Sequence, residues 1–233
     1  MSRKGVCGRA SKPYLKRMRC LAMTLLMFAP WPASAHPHIF IDGGLEFIYD
    51  DEARLSQVRV TWEYDDFYSL LITEDYKLDG DFDGRLTPPE AQFLAGFDAN
   101  WIEGYNGDLV IELDGKPLDL SGPLNPTAAM TGGRITTTHL RDVTGLPVSG
   151  AGRLTAKMFD PTHYTAYDVI HPVTVAGRQG CSVKKIQPNL DQELEKLQAR
   201  LAALGPDEDP EDMGFPDVGD AFATEVVISC PGS

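Results

Sequence analysis

The stretch LSQVRVTWEY, residues 55–64, decides the fold class. Its apolar side chains Val58, Val60 and Trp62 alternate with polar ones. Successive side chains of a β-strand point to opposite faces, so this alternation predicts a strand with one buried face. The preceding stretch IFIDGGLEFIY, residues 39–49, is also rich in β-branched and aromatic residues and predicts a second strand.

Further segments of the chain have the composition of strands, and one of them contains the hairpin turn Asp114-Gly115. These segments are Asp108–Leu120, Arg134–Leu140, Arg153–Phe159, Tyr167–Val175 and Thr224–Cys230. About eight strands at this spacing predict a mainly β fold, an antiparallel β-sandwich.

Two regions interrupt the strands. Residues 66–105 predict a helix–loop–helix insertion of the EF-hand type. Residues 189–204 predict one further amphipathic helix, because leucines recur at spacings of four and three and Gly205-Pro206 ends the run. We expect this helix to lie on the body of the protein, with a docking helix as the alternative. The segment that follows it, residues 206–220, is acidic and punctuated by Pro and Gly.

The first 35 residues predict a secretory signal peptide. They combine a basic start, the short apolar run LAMTLLMFA and an Ala33-Ser34-Ala35 exit. The apolar run is about half the ~20 residues that a membrane-spanning helix needs. We therefore expect a single domain, residues 36–233, that is periplasmic and not embedded in the membrane.

The charge of the mature chain excludes one class of partner. The whole chain of 233 residues has 21 basic and 34 acidic side chains, a net charge of −13. Without the basic leader the balance is 14 against 34, or −20. Nucleic-acid binding needs a basic surface, so we expect cations and no nucleic acid as partners.

Cleavage would leave two cysteines, Cys181 and Cys230. In an exported chain such a pair predicts a disulfide, which would close off the excursion 182–229 at its base. Two thiolates on a metal ion are the alternative, although the chain has no CxxC spacing.

The stretch DGDFDGRLTPPE, residues 79–90, matches the EF-hand calcium loop. In that pattern carboxylates converge on one point, Gly84 makes the sharp turn and a terminal glutamate binds with two oxygens. The predicted Ca²⁺ ligands are Asp79, Asp81, Asp83, the backbone carbonyl of Arg85, Thr87 through a water, and Glu90. A single loop predicts a structural clamp rather than a sensor, and a solvated acidic turn is the alternative.

The mature chain would start at His36-Pro37-His38. A free amino terminus and two imidazoles offer nitrogen ligands that suit Zn, Ni and Cu. Such a site needs a further ligand, and His163, in the turn after Asp160-Pro161-Thr162, is our preferred candidate over His139, His171 or a carboxylate. A solvated terminus is the alternative.

Several features together resemble one family. They are the start AHPHIFID, the strand that contains Trp62, the Asp65-Asp66-Phe67 that follows this strand, the acidic loop, the stretch FDPTHY at 159–164 and the late cysteine pair. This combination is similar to the domain of unknown function 1007 family, whose members are often labelled periplasmic components of an uncharacterised ABC-type transport system. The resemblance implies a setting near a membrane transporter of transition metals.

Taken together, the sequence predicts a periplasmic metal-binding accessory protein. It would hold Ca²⁺ in the acidic loop and Zn, Ni or Cu at its histidine terminus, in association with a membrane metal transporter. The alternative is a non-catalytic, calcium-stabilised interaction module of the cell envelope. No nucleophile elbow, phosphate loop or HExxH motif is present in the sequence, so we do not expect an enzyme.

Overall fold

The computed structural model describes residues 38–145, 148–149, 152–162, 164–203, 205 and 218–231. The predicted signal peptide, His36, His163 and most of the acidic segment 206–220 lie outside these residues. In chain order the strands are β1 Ile39–Tyr49, β2 Arg54–Tyr64, β3 Leu109–Leu113, β4 Lys116–Pro117, β5 Asp119–Leu120, β6 Leu124–Thr131, β7 Arg134–Thr144, β8 Val148–Ser149, β9 Arg153–Met158, β10 Thr165–Asp168, β11 Val173–Ala176, β12 Ser182–Ile186 and β13 Glu225–Ser229. The helices are α1 Asp66–Tyr76, α2 Pro88–Leu94, α3 Leu190–Ala202 and α4 Gly219–Phe222.

These strands confirm the mainly β, sandwich-like prediction. The larger sheet has eight strands. Five of them are neighbours in the order β10-β1-β2-β7-β5, while β11 also pairs with β1, β6 with β7 and β8 with β2. The smaller sheet has five, in the order β12-β13-β9-β3-β4. Its neighbours are all antiparallel, and the predicted hairpin at Asp114-Gly115 joins β3 to β4.

The larger sheet is mixed rather than purely antiparallel. Strands β10 and β11 both run parallel to β1. The chain reaches β10 from β9, which belongs to the other sheet, so no hairpin fixes its direction. This crossover is why the antiparallel prediction is wrong at that edge.

The core lies between the two sheets. Phe47, Val58 and Ile135 of the larger sheet and Ile111 and Val226 of the smaller one are almost fully buried. Gly43 on β1 shows how closely the sheets approach, because a Cβ at this position would lie 2.2 Å from Cε of Met158 on β9. The alternation of β2 therefore buries the side chains that the sequence predicts.

The predicted strand Tyr167–Val175 is divided into β10 and β11. Ile39 pairs with Thr165 and Leu45 pairs with Val173. Between these two pairings the chain of β10 and β11 therefore has two residues more than β1. The ammonium group of Lys185 on β12 donates to the backbone oxygens of Val169 and His171, at 2.6 and 2.9 Å. These carbonyls point to Lys185 instead of pairing with β1, which explains the interruption.

The two predicted helical regions are present. Helix α2 ends at Leu94, earlier than expected, because Gly96 takes a φ of +85° that continues no helix. Leu94 is fully buried, and Phe97 and Trp101 still pack on the core from beyond the helix. On α3, by contrast, Leu190 and Leu194 are exposed, so this part of the helix does not lie on the body as expected.

Cys181 and Cys230 form the predicted disulfide. Strands β12 and β13 pair with Ser182 opposite Ser229, and one further step of this register places the two cysteines directly opposite each other. The disulfide therefore continues the pairing of β12 with β13, and it closes the base of the segment that joins these two strands. Within the described residues no helix is long and apolar enough to cross a membrane.

Candidate metal centre

Helix α1 leads into the acidic loop, is capped at both ends and is bonded to the larger sheet near its start. The Asp65 carboxylate caps its first turn by accepting two backbone N–H bonds of 2.8 and 2.9 Å. Ser69 is fully buried, and its Oγ accepts the backbone N–H of Ile135 on β7 at 3.0 Å. The helix ends at Tyr76, and its C-cap residue Lys77 takes the left-handed conformation with φ 57°. The loop therefore starts from a fixed point on the larger sheet.

The turn of the loop rests on the hairpin between β6 and β7. Gly84 has a φ of +73°, and its carbonyl accepts the backbone N–H of Gly133 at 3.1 Å. A Cβ at Gly84 would lie 2.9 Å from that nitrogen. Leu86 packs against the core, whereas Arg85 is exposed. The backbone bond to the hairpin fixes the height of the loop above the sheet.

Asp79 organises the loop. Its side chain is buried, and its two oxygens accept the backbone N–H groups of Asp83 at 3.0 Å and Gly84 at 3.1 Å. Its own backbone N–H donates to Oε1 of Glu90 at 3.0 Å. One oxygen atom of each of Asp79, Asp81 and Asp83 lies within 4.8 Å of the others. Oxygen atoms at such distances suit a hard cation such as Ca²⁺.

Glu90 closes the loop from α2. Its Oε2 accepts bonds from the backbone N–H and the hydroxyl of Thr87, at 2.8 and 2.6 Å. These bonds from Thr87, and the bond from the Asp79 backbone, lower the pKa of Glu90. Thr87 is the N-cap residue and Pro88 starts the helix, while Thr87 and Glu90 together form a capping box. In this geometry Glu90 lies beside Asp79 but outside the group of three converging carboxylates.

Of the predicted histidine site, only His38 lies among the described residues. Its backbone N–H donates to the carbonyl of Tyr164 at 2.8 Å, and the two rings are 4.8 Å apart. This pairing joins the start of β1 to the segment that leads into β10. His36 and His163 lie outside the described residues, so their part in the site stays a prediction.

His171 lies in a charged cluster that the sequence did not predict. Its Nε2 is 3.3 Å from Oε2 of Glu63, without hydrogen-bond geometry, and Arg134 bridges Glu63 and Asp42 at 2.6 and 2.9 Å. The cluster is on the outer face of the larger sheet, since Glu63 alternates with buried residues of β2. Two grooves of about 430 and 360 Å³ lie elsewhere, against β9, β13 and α4.

His139 on β7 is buried in an aromatic cluster. Its ring is 5.0 Å from that of Trp62 and 5.3 Å from that of Trp101, both edge-on. Its Nε2 and the Nε1 of Trp62 have no hydrogen-bond partner within the described part of the chain. Burial, aided by the charge of Arg141, lowers the pKa of His139 from 6.5 to about 4. Nε2 of His139 is therefore a buried polar atom without a hydrogen-bond partner among the described residues.

A family model described as Protein of unknown function (DUF1007) matches residues 21–230 of the chain. Among curated proteins, none matches the chain significantly.

Proposed function

The chain belongs to the family described as Protein of unknown function (DUF1007), and we propose that it is a periplasmic metal-binding accessory protein associated with a membrane metal transporter. The observation that carries the proposal is the convergence of Asp79, Asp81 and Asp83 in one loop. Three carboxylates so close together repel one another unless a cation lies between them. The disulfide supports the periplasmic setting, because such bonds persist in oxidising compartments.

In this proposal the loop binds one Ca²⁺. The three aspartates supply carboxylate oxygens, Arg85 its backbone carbonyl and Thr87 a bridging water. Glu90 would complete the site by turning from the Thr87 backbone toward the ion, a change within one capping box. The ion would tie α1 and α2 to the β6–β7 hairpin and so stiffen the insertion, without supplying any reaction.

Calorimetric titration of the folded, chelator-stripped protein with Ca²⁺ tests this site. We expect uptake of one ion by millimolar concentration. Asp81→Asn should weaken the affinity by about tenfold or more, because it removes one charged ligand from an exposed position. Asp51→Asn, an exposed aspartate in the β1–β2 turn, is the matched control and should change nothing. No uptake by the wild-type protein at millimolar Ca²⁺ would refute the proposal.

The second part of the proposal is a transition-metal site for Zn²⁺, Ni²⁺ or Cu²⁺ at the mature amino terminus. His36 and His38 would supply nitrogen ligands and His163 a third imidazole. The bond from His38 to Tyr164 supports it, since Tyr164 follows His163 in the chain. Acetylating or extending the mature terminus should weaken Zn²⁺ and Ni²⁺ binding while Ca²⁺ uptake stays the same. Unchanged Zn²⁺ and Ni²⁺ affinity would exclude the terminus as a ligand.

The alternative function is a non-catalytic, calcium-stabilised interaction module of the cell envelope. The exposed apolar residues on α1 favour it, because they offer a surface without any need for a transition metal. The double variant His36→Ala, His38→Ala separates the two functions. Loss of metal-dependent transport in cells that carry it supports the accessory protein, and full transport supports the module.

A further inference from the structure

Helix α1 is apolar on two sides. Tyr68, Ser69 and Ile72 face the body, where Ser69 is fully buried and the other two pack on the core. Phe67, Leu70 and Leu71 point the other way and are 66%, 55% and 45% exposed. We call these three residues the outer face of α1. A helix that is apolar all round is typical of a buried element, so this one lacks a cover on its outer side.

The outer face is held rigidly. The cap at Asp65 and the bond from Ile135 to Ser69 fix the start of α1 on the larger sheet. Asp65 also accepts the backbone N–H of Phe40 at 2.9 Å, which ties the helix to β1. A rigid exposed apolar patch binds with little loss of conformational freedom, which favours a docking site.

The charge around the outer face selects the occupant. Residues 65–90 contain eight acidic side chains and two basic ones, a net charge of −6 without a metal ion, or −4 with one Ca²⁺ bound in the loop. The acidic residues are Asp65, Asp66, Glu74, Asp75, Asp79, Asp81, Asp83 and Glu90. This charge repels anionic lipid surfaces and also a second copy of the same face. It attracts a partner that combines apolar side chains with Lys or Arg.

We propose that the outer face of α1 docks a cationic amphipathic helix of a partner protein. Leucines of that helix would cover Phe67, Leu70 and Leu71, while its basic side chains would meet the acidic residues beside them. The inference extends the accessory role proposed above by giving the chemistry of its partner. The surface itself needs no metal ion, so the two proposals can fail separately.

The chain offers a matched pair of variants for the test. Leu70→Gln with Leu71→Gln changes two leucines of α1 that are 55% and 45% exposed. Leu190→Gln with Leu194→Gln changes two leucines of α3 that are 57% and 47% exposed. Neither pair lies in the core, so both variants should fold. The only relevant difference between them is the surface that they alter.

The probe is a fluorescein-labelled Leu/Lys peptide whose leucines fall on one helical face, with binding measured by anisotropy in chelator. The α1 variant should raise the Kd by about tenfold or more, while the α3 variant stays within about twofold of the wild type. A Leu/Glu peptide of the same pattern should bind about tenfold more weakly than the Leu/Lys peptide, and added salt should weaken the Leu/Lys complex.

Three results would overturn the proposal. The first is an equal rise of the Leu/Lys peptide's Kd in both variants, or an unchanged Kd in the α1 variant. The second is binding of the wild type, but not of the α1 variant, to phosphatidylcholine/phosphatidylglycerol vesicles, which would make a lipid surface the occupant. The third is a wild-type dimer in sedimentation analysis that the α1 variant abolishes, which would make it a second copy. Ca²⁺ titration of the same variants tests the metal site independently.

Discussion

Replacing His139 by Phe should remove a pH dependence that this buried imidazole imposes on stability. In the folded state the pKa of His139 is lowered from 6.5 to about 4, by burial first and by the charge of Arg141 second. The unfolded chain therefore binds a proton at a pH where the folded protein does not. The stability contribution of neutral His139 is present above pH 6.5 and is lost as the pH falls toward 4.

The two pKa values set the size of the effect. Between about pH 7.5 and about pH 4.5 the wild-type protein should lose about 2.5 kcal/mol of unfolding free energy through this one group. The packing supports a large shift, because two tryptophan rings enclose the imidazole and its Nε2 has no partner among the described residues. Protonation would place a cation in that apolar site beside Arg141, which is itself buried.

The assay is urea unfolding of the wild type and His139→Phe at both pH values. Other groups titrate in both proteins, so their effects cancel when the two pH differences are subtracted. Any change in packing that phenylalanine causes is present at both pH values and cancels as well. We expect the variant to lose about 2.5 kcal/mol less than the wild type. Equal losses in the two proteins would mean that His139 titrates normally in the fold, and the burial argument would be wrong.

Three further outcomes can be checked. Gly84→Ala should lower the unfolding free energy by about 1–2 kcal/mol and weaken Ca²⁺ binding, because Gly84 has a φ of +73°. Thermal unfolding tests this. The control is Gly80→Ala, which should have no effect because its added Cβ would lie within 4 Å of no other described residue beyond its chain neighbours. Replacing Cys181 and Cys230 by Ser should lower the unfolding free energy by about 4 kcal/mol in the chain-entropy model, and an unchanged urea midpoint would contradict it. Ca²⁺ at about a hundred times its Kd should add about 2.7 kcal/mol to the unfolding free energy of the wild type. The same concentration should add only about 1.4 kcal/mol to that of Asp81→Asn if its affinity is about tenfold weaker.

The sequence predicted the strands whose pattern is local. Strand β2 shows its buried face by alternation alone, and β7, β9 and β13 lie where composition placed them. Strand β12 was missed because its five residues are all exposed and show no alternation. It is a strand because β13 pairs with it, and that partner is about forty residues away along the chain. Strand β6 was missed for a different reason: Pro126, which lacks an N–H, lies at an irregularity in its pairing with β7.

The candidate site also has a part that local sequence patterns predict and a part that depends on distant segments. The positions of the acidic loop follow from a local pattern, and the structure brings three of its carboxylates together. The environment of His139 comes from three separate segments, which carry Trp62, Trp101 and Arg141, and no spacing in the sequence indicates it. The outer face of α1 was also beyond the sequence. The spacing of its apolar residues predicts a helix, but not that Ser69 would take the buried side.

The parallel pairing of β1 also has a kinetic consequence. Ile39 is opposite Thr165, so strands that are neighbours in the sheet are made about 126 residues apart (165 − 39). A ribosome or a translocation channel delivers β1 early and its partner late. Until residues 165–176 emerge, one edge of β1 has unpaired backbone groups beside a half-built core. Such long-range pairing slows folding and leaves the incomplete chain open to aggregation, so this protein should depend on chaperone protection while it emerges.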